Sequence, residues 1–214
     1  MATVAVIDYG MGNLHSISKA LKTVSPDANV IVSADKDTIL SADHIIFPGV
    51  GAIRDCMAAI RDAGLDETIR QVAQSKPLLG ICIGMQALLE HSEENGGVDC
   101  LGILPGKVVK FSSGATDNEN NRLKIPHMGW SEVNFDKNNP LFENIAENER
   151  FYFVHSYHAE KVENKFISAT TKYPNPFPSA LKWKNIVAVQ FHPEKSQHAG
   201  LQLLKNFLNW DGQS

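Results

Sequence analysis

The chain has 214 residues, 24 acidic against 20 basic, and a formal net charge of −4. That length suits one domain able to bury a sizeable core without disulfides or a structural metal. The charge balance, with no basic stripe, gives no electrostatic reason to bind nucleic acid, and no run approaches the roughly 20 apolar residues of a membrane span.

TVAVIDY (3–9) is a β-branched apolar run that ends at Gly10 and predicts a strand. The N-terminus MATVAVIDYG carries no basic region ahead of a long apolar one, so a cytoplasmic protein is expected. NLHSISKALKTV (13–24) places Leu14, Ile17, Ala20, Leu21 and Val24 at helical spacing. NVIVS (29–33) and HIIFPG (44–49) read as further strands, the second closed by a Pro-Gly breaker. AIRDCMAAI and DETIRQVAQ read as helices, KPLLGIC (76–82) as a buried strand, and GMQALLE (84–90) as the helix after it. Strands without alternation, separated by helices, indicate a parallel sheet covered on both faces.

From about Gly106 the pattern changes. KVVKF, WSEVNF, RFYFVHSYH, FISATT, SALKW and IVAVQF suggest antiparallel strands, some returning to the main sheet. SGATDNENNR (113–122) reads as an exposed loop. In the closing AGLQLLKNFLNW, residues Leu201, Leu204, Phe207 and Leu208 form one apolar face. No internal repeat or linker is evident.

Cys56, Cys82 and Cys100 are an odd number at unrelated spacings, and free thiols in a reducing compartment are expected. Cys82 stands out, because LGICIGMQALL (79–89) holds it between Gly80 and Gly84 where a strand becomes a helix. That is the layout of the G-x-S-x-G nucleophile elbow with sulfur in place of oxygen. The Ile83 N–H would then point at an oxyanion formed beside the sulfur. On this segment alone a buried structural cysteine fits as well as a nucleophile. A nucleophile needs a base, and His192 in AVQFHPEKS (188–196) is the best placed histidine. It lies past the end of a predicted strand, on the sheet edge where Cys82 also sits. Glu194, two residues on, would share its side in an extended chain and orient the ring. A polar turn after a buried strand is the competing reading of HPE. His127, His155 and His158 do not make a metal site on this reading, because His155 and His158 would face opposite sides of a strand, and no cofactor is implied. VIDYGMGNLH (6–15) resembles a dinucleotide loop, but His15 stands where the third glycine belongs and Asp8 precedes the loop. A tight glycine turn into a helix capped by Asn13 explains it better.

GICIGMQ (80–86) with FHPEKS (191–196) resembles the class I glutamine amidotransferases. DYGMGNL (8–14), PGVGA (48–52), PHMGW (126–130) and YFVHSY (152–157) are similar to the glutaminase subunits of imidazole glycerol phosphate synthases. The resemblance implies one glutamine amidotransferase domain over 1–214, with a flavodoxin-like α/β fold and antiparallel strands added in the C-terminal half. It implies hydrolysis of L-glutamine through a thioester on Cys82, and passage of ammonia to a (β/α)8-barrel cyclase in a heterodimer that makes imidazole glycerol phosphate. By residue match it gives a triad of Cys82, His192 and Glu194. Val50 and Ile83 match the oxyanion donors, and the Val50 peptide is expected to change orientation with the partner's ligand. Gly49, Gly51, Gln86, Tyr152, His155 and Ser156 match substrate positions, and Asn13, Trp130 and Lys195 match positions facing the cyclase. Ser131 and His158 depart from the usual Asn and aromatic, which leaves open a related glutaminase serving another synthase, such as one amidating a surface-polysaccharide sugar. A Cys-dependent peptidase fits PGVG and Gln86 poorly, and a pseudoenzyme fits poorly with a complete triad.

Overall fold

The structure, a computed structural model, describes residues 2–112, 114, 116, 124–136 and 139–213. Its first half alternates as the sequence predicts. Strands β1 (Thr3–Ile7), β2 (Asn29–Ser33), β3 (His44–Phe47) and β4 (Leu78–Ile81) are separated by α1 (Leu14–Val24), α2 (Lys36–Ser41), and the pair α3 (Ile53–Asp62) and α4 (Asp66–Val72). Helix α5 (Ile83–Leu88) follows β4 almost at once. Then come β5 (His91–Ser92), β6 (Val98–Asp99), β7 (Lys107–Lys110), β8 (His127–Glu132), β9 (Asn134–Phe135), β10 (Arg150–His155), β11 (Tyr157–Glu160), β12 (Ile167–Lys172), β13 (Pro176–Trp183) and β14 (Ile186–Val189), and α6 (Gln197–Asn209) closes the chain.

The main sheet runs β2-β1-β3-β4-β14-β13-β12-β9. Its first five strands are parallel, in the second-first-third-fourth-fifth order of flavodoxin-like sheets. The last three add antiparallel. Every residue of β3, β4 and β14 is buried, which is why these runs show no alternation. Helix α1 packs on α6, α2 on α4, and α3 on α5, the grouping that right-handed crossovers give to this strand order. Of the apolar face in α6, Leu204 and Phe207 are fully buried, with Leu201 and Leu208 packed beside them. Outside the main sheet, β10 pairs with β8, and a second small sheet runs β11-β7-β5-β6. Among the described residues no helix is long and apolar enough to cross a membrane.

Several expectations shift. Helix α2 was not read from sequence; it is short, and its start is set by Asp35, whose carboxylate accepts from the Thr38 N–H at 2.8 Å. Strands β5 and β6, two residues each, were equally invisible. WSEVNF is not one strand, since β8 begins at His127 and breaks at Val133. RFYFVHSYH is divided at Ser156 between two sheets, because a period-two pattern does not report a change of partner. SGATDNENNR lies outside the described residues except at Gly114 and Thr116.

Candidate active site

Cys82 joins β4 to α5 with φ 55° and ψ −108°, a backbone region that L-residues avoid and that persists only where the surroundings enforce it. Here the surroundings are backbone. The Cys82 N–H donates to the Val189 carbonyl at 2.8 Å, tying the elbow to β14. A Cβ on Gly84 would lie 2.0 Å from the Phe47 carbonyl oxygen, and one on Gly49 would lie 2.7 Å from the Tyr9 hydroxyl and 2.8 Å from Ile83 Cβ. A Cβ on Gly80 would meet Leu88 Cδ1 at 2.9 Å. The glycines therefore let three segments approach more closely than side chains permit. Tyr9 fixes the segment after β3 by donating its hydroxyl to the Pro48 carbonyl at 2.6 Å. Burial, and then the charges of Cys56 and Cys82, hold its phenol far above the usual range, so it stays a neutral donor.

Val189 of β14 lies opposite Ile81 of β4 in parallel register, so Cys82 and His192 leave the same sheet edge. His192 Nδ1 donates to Glu194 Oε1 at 2.9 Å, with the two side chains 2% and 0% exposed. The expected pairing is present, but the extended chain invoked for it is not. Pro193–Lys195 is a 3-10 turn, and the turn rather than the pleat brings the carboxylate back to the ring. The backbone there is pinned: His192 N–H donates to Tyr152 O at 2.9 Å, and Ser196 Oγ donates to His192 O at 2.6 Å. Burial presses the imidazolium down, but the Cys82 charge and Glu194 outweigh it and raise His192 from 6.5 to about 10. Nε2 is buried and makes no hydrogen bond of complete geometry, so the influence of Cys82 is chiefly one of charge.

A pocket of about 390 Å³ opens over this edge. Val50, Gly51, Cys82, Ile83, Gln86, His155, Ser156, His192 and Lys195 line it. Glu194 stands behind His192, and Gly49 lies against Tyr9 and Ile83. Tyr152 is outside this lining; its ring sits 6.0 Å from that of Trp130 and 5.8 Å from Lys195 Nζ. Trp130 is 43% and Met128 66% exposed on the same strand, β8. Asn13 precedes α1, but its side chain makes no capping hydrogen bond, contrary to the sequence reading. Among the described residues neither the Val50 N–H nor the Ile83 N–H has an acceptor, while the Val50 carbonyl accepts from the Cys56 thiol at 3.3 Å. A larger, more open cleft of about 660 Å³ beside Lys165, Lys182 and Lys184 contains none of the predicted site residues. The residues expected from the sequence therefore gather at the smaller pocket and not at the larger one.

Sequence reasoning assigned no role to Gln190 or Glu94. Glu94 also lines the pocket, and its carboxylate accepts from the Ile53 N–H at the start of α3. Gln190 Nε2 lies 3.7 Å from Cys82 Sγ, and its Oε1 accepts from Gln86 Nε2 at 3.0 Å. Gln86 Nε2 donates also to the Tyr157 carbonyl at 3.0 Å, which leaves Gln86 Oε1 buried and unpartnered. The same carbonyl accepts from His155 Nδ1 at 2.8 Å. His155 Nε2 then accepts from His127 Nδ1 at 2.9 Å, and His127 Nε2 accepts from the Ser131 hydroxyl at 2.8 Å. Burial lowers His127 to about 4 and His155 to about 3, so both rings are neutral and spend their nitrogens on this chain. Among the described residues no cluster could hold a metal ion. All three cysteines are free thiols, and burial pushes Cys56 and Cys100 up to about 11.

The sequence profile described as "Glutamine amidotransferase class-I" matches residues 5–210. The "Imidazole glycerol phosphate synthase subunit HisH" of Methylococcus capsulatus is 54% identical over 212 residues, 99% of this chain and 98% of that protein. The protein of the same name from Pseudomonas putida is also 54% identical, over 99% of both chains. Among solved structures, a "glutamine amidotransferase" superposes with TM-score 0.72 at 18% identity, covering 96% of this chain and 97% of that one. The "Structure of PurLQS from Thermotoga maritima" gives 0.71 at 19%, covering 98% and 99%. At such identities these two likenesses speak for the fold alone. From the sequence matches, the chain belongs to the class I glutamine amidotransferases, among the HisH subunits of imidazole glycerol phosphate synthase.

Proposed function

We propose that the chain is the glutaminase subunit of imidazole glycerol phosphate synthase, hydrolysing the side-chain amide of L-glutamine and passing ammonia to a (β/α)8-barrel cyclase that makes imidazole glycerol phosphate. The observation that carries the reading is the buried His192–Glu194 couple facing an elbow cysteine across one small pocket. Cys82 Sγ adds to the amide carbon, and the carbonyl oxygen becomes an oxyanion to which the Val50 and Ile83 N–H groups are free to donate. His192, held as the Nδ1–H tautomer by Glu194, carries the thiol proton on Nε2 and gives it to the departing nitrogen, so that ammonia leaves and a thioester remains. Water then attacks the thioester carbon, His192 takes its proton, and glutamate departs as the sulfur recovers its charge. No cofactor enters these steps. The unpartnered Gln86 Oε1 suits an N–H of the substrate.

The match over residues 5–210 supports reading 1–214 as one glutamine amidotransferase domain. Trp130, Asn13 and Lys195 are assigned to the cyclase interface. Lys195 both lines the pocket and lies over Tyr152, which touches Trp130, so the interface and the pocket are contiguous. The Val50 peptide is the proposed switch. The two departures that raised a related glutaminase have local explanations, since Ser131 donates to His127 and His158 packs 4.5 Å from the Phe111 ring. A glutamine-like alkylator, diazo-oxo-norleucine, tests the assignment: mass spectrometry should find the label on Cys82. Label on Cys56 or Cys100 instead would remove Cys82 as the nucleophile.

A further inference from the structure

The mechanism above gives the sulfur one neighbour, His192, but the structure gives it another. Gln190 follows β14, is fully buried, and has its backbone fixed by an N–H bond to Ser179 O at 2.9 Å. Its side chain has one nitrogen and one oxygen to place, and the surroundings decide which goes where. The Tyr157 carbonyl can only accept, so Gln86 must turn its nitrogen toward it. That same nitrogen also faces Gln190, so Gln190 must answer with its oxygen. Its nitrogen is then left toward Cys82 Sγ at 3.7 Å. A backbone carbonyl, which cannot flip, thus sets the polarity of two side-chain amides in series and ends on the reacting atom.

We propose that Gln190 is a catalytic residue whose amide N–H donates to the charged sulfur of Cys82, with Gln86 and the Tyr157 carbonyl as the parts that keep it pointing that way. The inference rests on the reading of Cys82 as the nucleophile. An amide donor gains little from a neutral thiol and much more from a thiolate. The donor therefore favours the reactive form before glutamine arrives. It favours the same form again when the thioester breaks and the charge returns to sulfur. It works from the side opposite in role to His192, because it has no proton to give away and remains in place through both steps.

The test is the pH dependence of Cys82 alkylation by iodoacetamide, a probe small enough not to need the glutamine subsite, with the modified residue identified by mass spectrometry. Gln190→Met keeps the length and removes the donor. Its alkylation midpoint should move up by about one pH unit, with roughly tenfold slower labelling near neutrality. Gln86→Met leaves Gln190 in place but frees it to turn, and should move the midpoint the same way by less. A merely structural role would lower the melting temperature without moving this profile. An unchanged midpoint in folded Gln190→Met overturns the proposal. If that variant does not fold, Gln86→Met decides, an upward shift supporting the relay and no shift overturning it. Wild-type protein labelled anywhere but Cys82 would instead defeat the nucleophile reading, and this inference with it.

Discussion

Cys82→Ala should abolish glutamine-dependent synthesis while leaving ammonia-dependent synthesis by the cyclase complex intact. The expected loss is ~10⁴-fold or more in kcat, the scale seen when a nucleophile is removed from a triad. The substitution is clean for a structural reason. Alanine has the same Cβ as cysteine and meets the same φ of 55°, so the elbow keeps its backbone and its bond from Cys82 N–H to Val189 O. The measurement is product formation with the cyclase present, once with glutamine and once with an ammonium salt. Loss of both activities would show that the sulfur does not serve glutamine alone, and the proposed division of labour would be wrong.

Glu194→Gln is the second large effect. The side chain is fully buried and nearly the same size as the one that replaces it, so packing is preserved and the charge is not. Glutamine can turn its NH₂ toward Nδ1, which forces the ring into the tautomer with a proton already on Nε2. The expected fall is about 10³–10⁴-fold in kcat, by analogy with loss of the orienting carboxylate in serine triads. A stability signature accompanies it. His192 is raised from 6.5 to about 10 in the fold. A raised pKa means that the folded state holds a proton the unfolded state has lost. The part of the rise that Glu194 supplies is complete below about pH 6.5 and is lost as pH rises toward 10, whereas the part due to the Cys82 charge is matched by the proton Cys82 itself gives up and adds nothing to the slope. Cys56 and Cys100 also hold protons longer when folded, but they add to the slope only above their ordinary value of 9.0. Between pH 6.5 and 9, denaturant unfolding of the wild type should show declining stability, and Glu194→Gln should show a shallower decline. Equal slopes in that window would mean that the carboxylate does not support the imidazolium.

The grouping of Cys82, His192 and Glu194 was legible because its signals are local. A cysteine between glycines at a strand-to-helix junction needs no distant partner to be noticed, and His192 and Glu194 are near neighbours in the chain. Even so, the reason for their pairing was misread, since the turn after His192 follows from Pro193 and not from strand geometry. Gln190 was not legible. A buried amide at the end of an apolar strand looks like an interruption, and its meaning comes from Gln86, 104 residues away. The fold divides in the same manner. The parallel half declared itself through runs with no alternation. The antiparallel half showed strands but not their partners, because β5 finds β7, β7 finds β11, and β10 leaves β11 for β8 through pairings no local pattern encodes.

Gly80 and Gly84 flank Cys82 symmetrically in the sequence, yet they have different futures under mutation. The closest clash awaiting a side chain at Gly80 is with the methyl end of Leu88, an atom that another substitution could trim away. The clash awaiting one at Gly84 is with the carbonyl oxygen of Phe47, part of the main chain and present whatever residue stands there. With Leu88 trimmed, a side chain at Gly80 would still lie 3.2 Å from the Gly84 backbone, which would have to give by a few tenths of an ångström. At Gly84 the 2.0 Å approach to a main-chain oxygen stays whatever residue is changed elsewhere, so the elbow has a narrow escape route on one side of its cysteine and none on the other.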